Sequence, residues 1–149
     1  MKILIQPYAR ELRNGEVNPK NYPHWPELIS MLETQGHHII HVGVTGEQPL
    51  TDDFVCQSLP TVEKFIKSCD LWISVDSFLQ HMAWYLGVPG IVLFGPSDPK
   101  IFGHEENTNL YVNSKYFRPD PCGIWESMKL NNKAFCSPET VYNLIAGRK

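Results

Sequence analysis

The chain has 149 residues, of which 42% are hydrophobic and 19% charged, and its formal net charge is −3 at pH 7. This composition is typical of one soluble globular domain, so we expect a single domain over residues 1–149 in the cytoplasm, without a transmembrane segment. Lysines and arginines are scattered along the chain, and no basic patch indicates a nucleic-acid partner.

The four cysteines are widely spaced and form no C-x-x-C pair. Structural zinc sites usually have more closely spaced ligands, so we expect no metal and interpret the cysteines as reduced thiols. A disulfide between Cys122 and Cys136 remains an alternative at this stage.

The first part of the chain alternates apolar strand patterns with a helix pattern. Residues 2–7 read as a strand, and a long polar loop follows it. A helix is expected from Trp25, with Pro26 in its first turn and Gly36 just past its end. Residues 37–44 form the next predicted strand.

The same alternation continues to the C-terminus. After a loop over residues 45–53 we expect a short strand or turn, and then a helix over 60–69. Three further strands are predicted over 71–75, 90–95 and 109–113. A helix that Gly87 ends follows the first of them, and a helix with Ser137 as N-cap closes the chain.

Continuous apolar strands alternating with helices predict an α/β fold, a Rossmann-like parallel sheet with helices on both faces. In such sheets the ligand crevice lies beyond the carboxyl ends of the strands, near the point where the strand order reverses. Candidate site residues should therefore follow strand ends.

Asp76, Ser77 and His81 come directly after the strand LWISV. Ser77 and the backbone N–H groups that follow it open a helix, which favours an anionic group. His81 lies one helical turn beyond Ser77 and can donate to a phosphate oxygen. The structural alternative is that Asp76 or Ser77 caps the helix and that His81 is a satisfied core histidine.

Lys20 precedes the first helix in a loop stiffened by Pro19, Pro23 and Pro26. A lysine ammonium is a suitable point charge for binding phosphate, and the alternative is a solvated loop lysine.

Two glycine-containing loops complete the candidate set. Gly43 and Gly46 permit a tight turn after the second strand, and Glu47 can accept hydrogen bonds from a ribose diol. The loop FGPSDP contributes Gly95, Pro96, Ser97 and Asp98, although turn formation alone also explains these residue types.

The run from Cys69 to Pro99 resembles the C-terminal domain of glycosyltransferase family 9, the ADP-heptose:lipopolysaccharide heptosyltransferases. That family has roughly D-[ST]-G-x-x-H-x-A, a G-x-P break and an L-F-G-P-[ST]-x-P loop. The residues that match are Asp76, Ser77, His81, Ala83, Gly87, Pro89 and LFGPSDP. Lys20 with NYPHWPELI and the segment HVGVTGE are similar to two upstream elements, so the resemblance covers most of residues 1–113.

The resemblance implies one half of a GT-B glycosyltransferase that binds a nucleoside-diphosphate sugar as donor and requires no cofactor. It implies that Lys20 and His81 hold the diphosphate with Ser77 and the following amides. It also implies that Asp76 contacts the sugar and Glu47 the ribose of the nucleoside.

Two departures from the family pattern bear on activity. Phe78 stands where the family has glycine, next to the expected diphosphate. The resemblance implies that the family's general base comes from an N-terminal domain. We expect this chain to represent only the second domain, in which Asp76 is the only candidate for a base. We expect the acceptor site to come from a partner subunit or from a second copy of the chain.

Two other functions stay open from the sequence. One is a non-catalytic module that binds a nucleotide or a nucleotide sugar. The other is a nucleoside N-glycosidase similar to the nucleoside deoxyribosyltransferases, although Trp84 and Tyr85 stand where that class needs a glutamate.

Overall fold

One parallel sheet organises the computed structural model, which describes residues 1–56 and 58–148. Within these residues the sheet has six strands in the spatial order β3-β2-β1-β4-β5-β6. The strands are β1 (Lys2–Gln6), β2 (His38–Val42), β3 (Asp53–Val55), β4 (Leu71–Val75), β5 (Ile91–Leu93) and β6 (Thr108–Leu110). All neighbouring pairs are parallel, which confirms the predicted fold class.

Five α-helices accompany the strands in the described part of the chain. They are α1 (Trp25–Thr34), α2 (Leu59–Ser68), α3 (Phe78–Tyr85), α4 (Pro99–Phe102) and α5 (Pro138–Ala146). Ser137 caps α5 by accepting a hydrogen bond from the Thr140 N–H, and Gly36 follows α1 with φ of 78°, both as the sequence predicts. The single turn of α4 is not predicted; Asp98 caps it by accepting from the Lys100 N–H.

Both faces of the sheet are covered, because successive side chains of each central strand enter different hydrophobic cores. Ile3 and Ile5 belong to the core that α1 and α5 cover. Leu4 belongs to the opposite core, which α2 and α3 cover. This packing explains the continuous apolar strand sequences.

The order of the strands fixes the position of the crevice. The chain builds β1, β2 and β3 outward on one side and then returns to place β4 on the other side of β1. Gln6 at the end of β1 pairs in register with Ser74 near the end of β4. The loops after β1 and β4 therefore diverge at the switch point, where this class of fold binds its ligands.

Gly90 packs against the indole of Trp72 just before β5. A Cβ atom there would lie 2.7 Å from Trp72 Cζ2 and closer still to two other ring atoms. We expect Gly90→Ala to lower the free energy of unfolding by about 1–3 kcal/mol through overpacking. A Cβ atom at Gly147 would lie 3.5 Å from the nearest neighbour, the Asn143 carbonyl oxygen. Gly147→Ala should therefore change the free energy of unfolding by less than about 0.5 kcal/mol. Urea unfolding measures both, and equal effects would contradict the packing.

The cysteines are free thiols at all four positions. The alternative of a Cys122–Cys136 disulfide is therefore wrong. Cys136 is partly buried, and this burial raises the pKa of its thiol. Across the described ranges 1–56 and 58–148, none of the helices combines the length and the apolar character needed to span a bilayer.

Candidate functional site

Lys20 and Asp76 meet across the switch point of the sheet. Lys20 Nζ lies 3.6 Å from Asp76 Oδ2, although 56 residues separate the two in sequence. Asp76 is only 5% exposed, and its Oδ1 accepts a 2.7 Å hydrogen bond from Gln80 Nε2. The site thus holds one partly exposed ammonium beside a buried, paired carboxylate.

The loop that carries Lys20 is held in place by side-chain hydrogen bonds. Asn18 Oδ1 accepts from the Lys20 N–H, and Asn18 Nδ2 donates to the Arg10 carbonyl. Asn21 Oδ1 accepts from the Ala9 N–H across the loop. These contacts favour a fixed loop, in agreement with the expectation from its prolines.

Trp125 supports Lys20 from the C-terminal segment. Lys20 Nζ lies 5.3 Å from the centre of the Trp125 ring, and the Arg118 guanidinium lies 3.8 Å from the same ring. Arg118 in turn donates to the carbonyls of Pro121 and Gly123. Nothing in the local sequence links Arg118 or Trp125 to Lys20, so their contact with Lys20 is not predictable from the sequence.

The N-terminus of α3 forms the second wall of the site. Ser77 is the N-cap residue, but its side chain makes no capping hydrogen bond. Instead, Gln6 Oε1 accepts from the Leu79 N–H at 3.0 Å. The alternative in which Asp76 or Ser77 caps the helix is therefore wrong, and the Ser77 hydroxyl is left available at a helix N-terminus, where partial positive charge favours anions.

His81 lies exposed one turn along α3, so the alternative of a buried core histidine is wrong. Its Nδ1 atom lies 2.9 Å from His104 Nε2. Burial, and then the neighbouring His104, lower the pKa of His81, while Asp76 acts in the opposite direction. Asp76 and Lys20 both contribute to the electrostatic environment of His81, and their joint role in a site stays a prediction.

The lowered pKa of His81 predicts a pH effect on stability. Because the unfolded chain binds a proton at His81 more readily than the folded protein, stability is complete above about pH 6.5 and falls as the pH drops through the lower folded pKa. Urea unfolding between about pH 8 and pH 5 should therefore show a steeper loss for the wild type than for His81→Gln. Identical pH profiles would contradict the lowered pKa.

Gly43 and Glu47 form a closed turn after β2. Glu47 Oε2 accepts from the Val44 N–H at 3.1 Å and lies 3.8 Å from the buried His41 Nε2. A Cβ atom at Gly43 would collide with the Glu47 carboxylate and lie 2.8 Å from the Phe54 ring. Gly43 is therefore required for the close approach of Glu47. The contact of Glu47 with His41 is not predictable from the local sequence, because the turn between them sets it.

A cavity of about 940 Å³ lies between the ends of β1 and β2 and the start of α3. Its polar wall includes Gln6, Glu47 and Ser77, and Phe78 contributes an aromatic ring that is 38% exposed. Its apolar wall consists of Ala9, Val17, Val42, Val44, Leu59 and Val62. This size and this mixture of surfaces are typical of a small-molecule site.

The loop after β5 does not line this cavity. Gly95 is buried, and a Cβ atom there would collide with the Phe135 ring. Ser97 is 1% exposed, and its Oγ atom has no hydrogen-bond partner. Pro96 borders a separate cavity of about 320 Å³. Packing buries Gly95 and Ser97, and Asp98 caps α4, so the expectation that these residues face the crevice stays a prediction. Lys20, Asp76 and His81 do not line this cavity either.

The fold and the position of the site define a Rossmann-like domain equivalent to one half of a GT-B glycosyltransferase. The structure of Escherichia coli heptosyltransferase WaaC with ADP superimposes with a TM-score of 0.68 at 19% identity, covering 99% of this chain and 44% of that one. The complex of the same enzyme with ADP-2-deoxy-2-fluoro heptose gives 0.69 at 20% identity, with the same coverage.

Sequence comparison shows which family the chain is similar to. Residues 56–123 match glycosyltransferase family 9 (heptosyltransferase). Lipopolysaccharide heptosyltransferase 1 of Escherichia coli is 30% identical over 109 residues, which is 64% of this chain and 34% of that protein. The Salmonella typhimurium protein is 28% identical over 115 residues, or 68% and 36%. The chain is therefore similar to glycosyltransferase family 9 over this part of its length, and the predicted resemblance is confirmed.

The chain spans about a third of the length of these curated relatives. The match to the family includes Asp76, Ser77 and His81, whereas Lys20, Gly43 and Glu47 precede its first residue. The two groups are joined in the structure by the ion pair between Lys20 and Asp76 and by the cavity that both Glu47 and Ser77 line.

Proposed function

We propose that this chain binds a nucleoside-diphosphate sugar at the carboxyl edge of its sheet and acts as the donor-binding half of a glycosyltransferase. The observation that carries the proposal is the ion pair between Lys20 and Asp76, next to Ser77 at the start of α3, whose hydroxyl makes no capping hydrogen bond. A cation and a helix N-terminus together suit a diphosphate. The relatives solved with ADP and with an ADP-heptose analogue support this class of ligand.

Each residue receives a task that fits its position. Lys20 partly neutralises the diphosphate, and His81, the Ser77 hydroxyl and the amides of α3 donate hydrogen bonds to it. Asp76 accepts from sugar hydroxyls, and Glu47 accepts from the ribose through the oxygen that the Val44 N–H leaves unused. Phe78 borders both the diphosphate position and the cavity. Gly43 keeps Glu47 in place.

Transfer breaks the bond between the anomeric carbon of the sugar and the diphosphate oxygen, and it forms a bond from that carbon to an acceptor oxygen. Lys20 and His81 stabilise the charge that develops on the leaving diphosphate. The acceptor must also lose a proton to a base. Asp76 is the chain's own candidate for this base, but its two oxygens already contact Lys20 and Gln80.

The partner follows from this requirement. We infer that the acceptor site and its base come from a partner subunit or from a second copy of this chain, in the cytoplasm. The donor is the substrate, and the proposed reaction uses no further cofactor. Size-exclusion chromatography with light scattering, with and without the donor, tests for a second copy.

Calorimetric titration tests binding directly. We expect saturable binding of ADP and ADP-sugars, with UDP and UDP-sugars as the comparison set for the base. The proposal would be ruled out if no nucleotide binds at about 1 mM ligand, which corresponds to a binding free energy weaker than about −4 kcal/mol.

A binding module without catalysis is the second candidate, and Phe78 is the observation that favours it. Its side chain lines the cavity, at the position where the family pattern has a glycine. Phe78→Gly should increase donor affinity because it lets the diphosphate approach the backbone, with Tyr85→Gly on the same helix as control. Turnover of wild-type protein with any acceptor and partner would exclude this candidate, whereas binding without turnover favours it.

The N-glycosidase alternative receives no support from the site. Trp84 is half-exposed and stacks on His104, and Tyr85 is 83% exposed. Neither position supplies the carboxylate nucleophile that this chemistry needs.

A further inference from the structure

We infer that His41 is a positioning residue that orients the Glu47 carboxylate for the ribose of the nucleoside. The inference rests on the proposed function, in which Glu47 accepts from the ribose. His41 belongs to β2 and is fully buried. Because its side chain does not line the larger cavity, His41 acts on a ligand only through Glu47.

The main chain determines which nitrogen of His41 carries the ring proton. The Leu50 N–H donates a hydrogen bond to Nδ1 of His41, with 3.2 Å between the two nitrogens. A backbone N–H can only donate, so Nδ1 is the acceptor and carries no proton. The ring proton therefore lies on Nε2, and His41 presents a donor at that atom.

Glu47 is the carboxylate next to this donor. Nε2 of His41 lies 3.8 Å from Glu47 Oε2 and has no hydrogen-bond partner among the described residues. The rings of Tyr8 and Phe54 pack edge-on against the imidazole, with centroid distances of 5.7 Å and 4.8 Å. Because a buried donor without a partner is unfavourable, the Nε2–H group attracts the Glu47 carboxylate to this side of the turn.

The two oxygens of Glu47 consequently have different tasks. Oε2 faces His41 Nε2 and accepts from the Val44 N–H at 3.1 Å, whereas Oε1 takes part in neither contact. Gly43 permits this approach, because a Cβ atom there would lie 3.1 Å from His41 Nε2 and would collide with the carboxylate. With Oε2 held from two directions, Oε1 is left to accept from a ligand hydroxyl in the cavity that Glu47 lines. The arrangement should favour ribonucleotides over nucleotides that lack the ribose hydroxyls.

Two substitutions separate the two ends of the imidazole. His41→Asn keeps an acceptor near the position of Nδ1 for the Leu50 N–H but removes the donor toward Glu47. His41→Gln keeps an amide N–H near the position of Nε2 but removes the acceptor for Leu50. Both replace a buried ring by a smaller amide, so urea unfolding should show similar losses of stability.

Calorimetric titration with ADP and with 2′,3′-dideoxy-ADP measures recognition of the ribose hydroxyls. We expect the ratio of ADP affinity to dideoxy-ADP affinity to fall by about threefold to tenfold in His41→Asn. In His41→Gln the ratio should change by less than about twofold, because the donor toward Glu47 is restored. An unchanged ratio in His41→Asn, or a fall at least as large in His41→Gln, would overturn the inference.

Nitrogen NMR of ¹⁵N-histidine-labelled protein at about pH 8, well above the ordinary histidine pKa, tests the placement of the proton without a ligand. The signals that His41→Gln lacks identify His41. We expect His41 to be protonated at Nε2 in the wild type, and protonation at Nδ1 would overturn the inference. If the wild type binds no ADP, the proposed function fails, while the tautomer still decides whether His41 presents a donor to Glu47.

Discussion

Replacement of Lys20 by methionine is expected to weaken ADP binding by about tenfold to hundredfold. Methionine keeps an unbranched stem against Trp125 but removes the ammonium, and a charge-assisted hydrogen bond contributes about 1.5–3 kcal/mol. Isothermal titration of ADP measures the effect. At high salt the ADP dissociation constants of the wild type and of Lys20→Met should converge, because added salt screens the attraction that Lys20 provides in the wild type.

Two controls separate this effect from a loss of folding. Lys129→Met makes the same chemical change at an exposed position beside the smaller cavity, and it should bind ADP as the wild type does. Lys20→Met also leaves Asp76 without its ion pair, so the double variant with Asp76→Asn removes that unpaired charge. Equal ADP affinity in Lys20→Met and Lys129→Met would place the diphosphate elsewhere.

Asp76→Asn is expected to separate recognition of the sugar from recognition of the diphosphate. The asparagine oxygen can still accept from Gln80 Nε2, so the local structure should persist. Binding of ADP should be unchanged or up to about threefold tighter, because the carboxylate no longer competes for Lys20. The ratio of ADP-sugar affinity to ADP affinity should fall by about tenfold, because the sugar hydroxyl loses a hydrogen bond to a charged carboxylate.

Asp98→Asn is the matched control for this variant. Asp98 caps α4, and asparagine caps helices about equally well, so the ratio of the two affinities should not change. If Asp76→Asn weakens ADP and ADP-sugars in parallel, Asp76 holds the structure of the site and does not select the sugar. Competition experiments with both ligands measure the ratio without dependence on the active fraction.

The sequence predicts the fold well because each strand and helix carries its own local pattern. The strand LWISV is buried along its whole length, and Gly87 with φ of 70° ends α3 as expected. The position of Asp76 and Ser77 follows from the same logic, since both directly follow a strand. The proximity of Lys20 to Asp76 follows from the order of the strands, which the family resemblance implies.

Local sequence patterns do not predict contacts between segments that are far apart in the chain. The capping of α3 by Gln6 depends on the register of two neighbouring strands, whereas the local sequence offers Asp76 and Ser77. The pairing of His81 with His104 and the stacking of Arg118 on Trp125 join segments that irregular loops connect. Such loops carry no periodicity from which a contact can be deduced.

The loop after β5 matches a motif that has two structural explanations. Its residues match the family motif, and they follow a strand end near the crevice. The space beside Gly95 is nevertheless filled by the Phe135 ring. A glycine that permits close packing of a side chain and one that permits close approach of a ligand have the same sequence signature. The structure alone distinguishes these two uses.

The central claim is that Lys20, Ser77 and His81 gather a diphosphate at the switch point of the sheet. A crystal structure of the protein soaked with ADP tests it most directly. The account predicts diphosphate density within hydrogen-bond distance of Lys20 Nζ, Ser77 Oγ and His81 Nε2, with the nucleoside in the larger cavity. Diphosphate density at the smaller cavity beside Lys115 and Lys129, with the switch point empty, would contradict it.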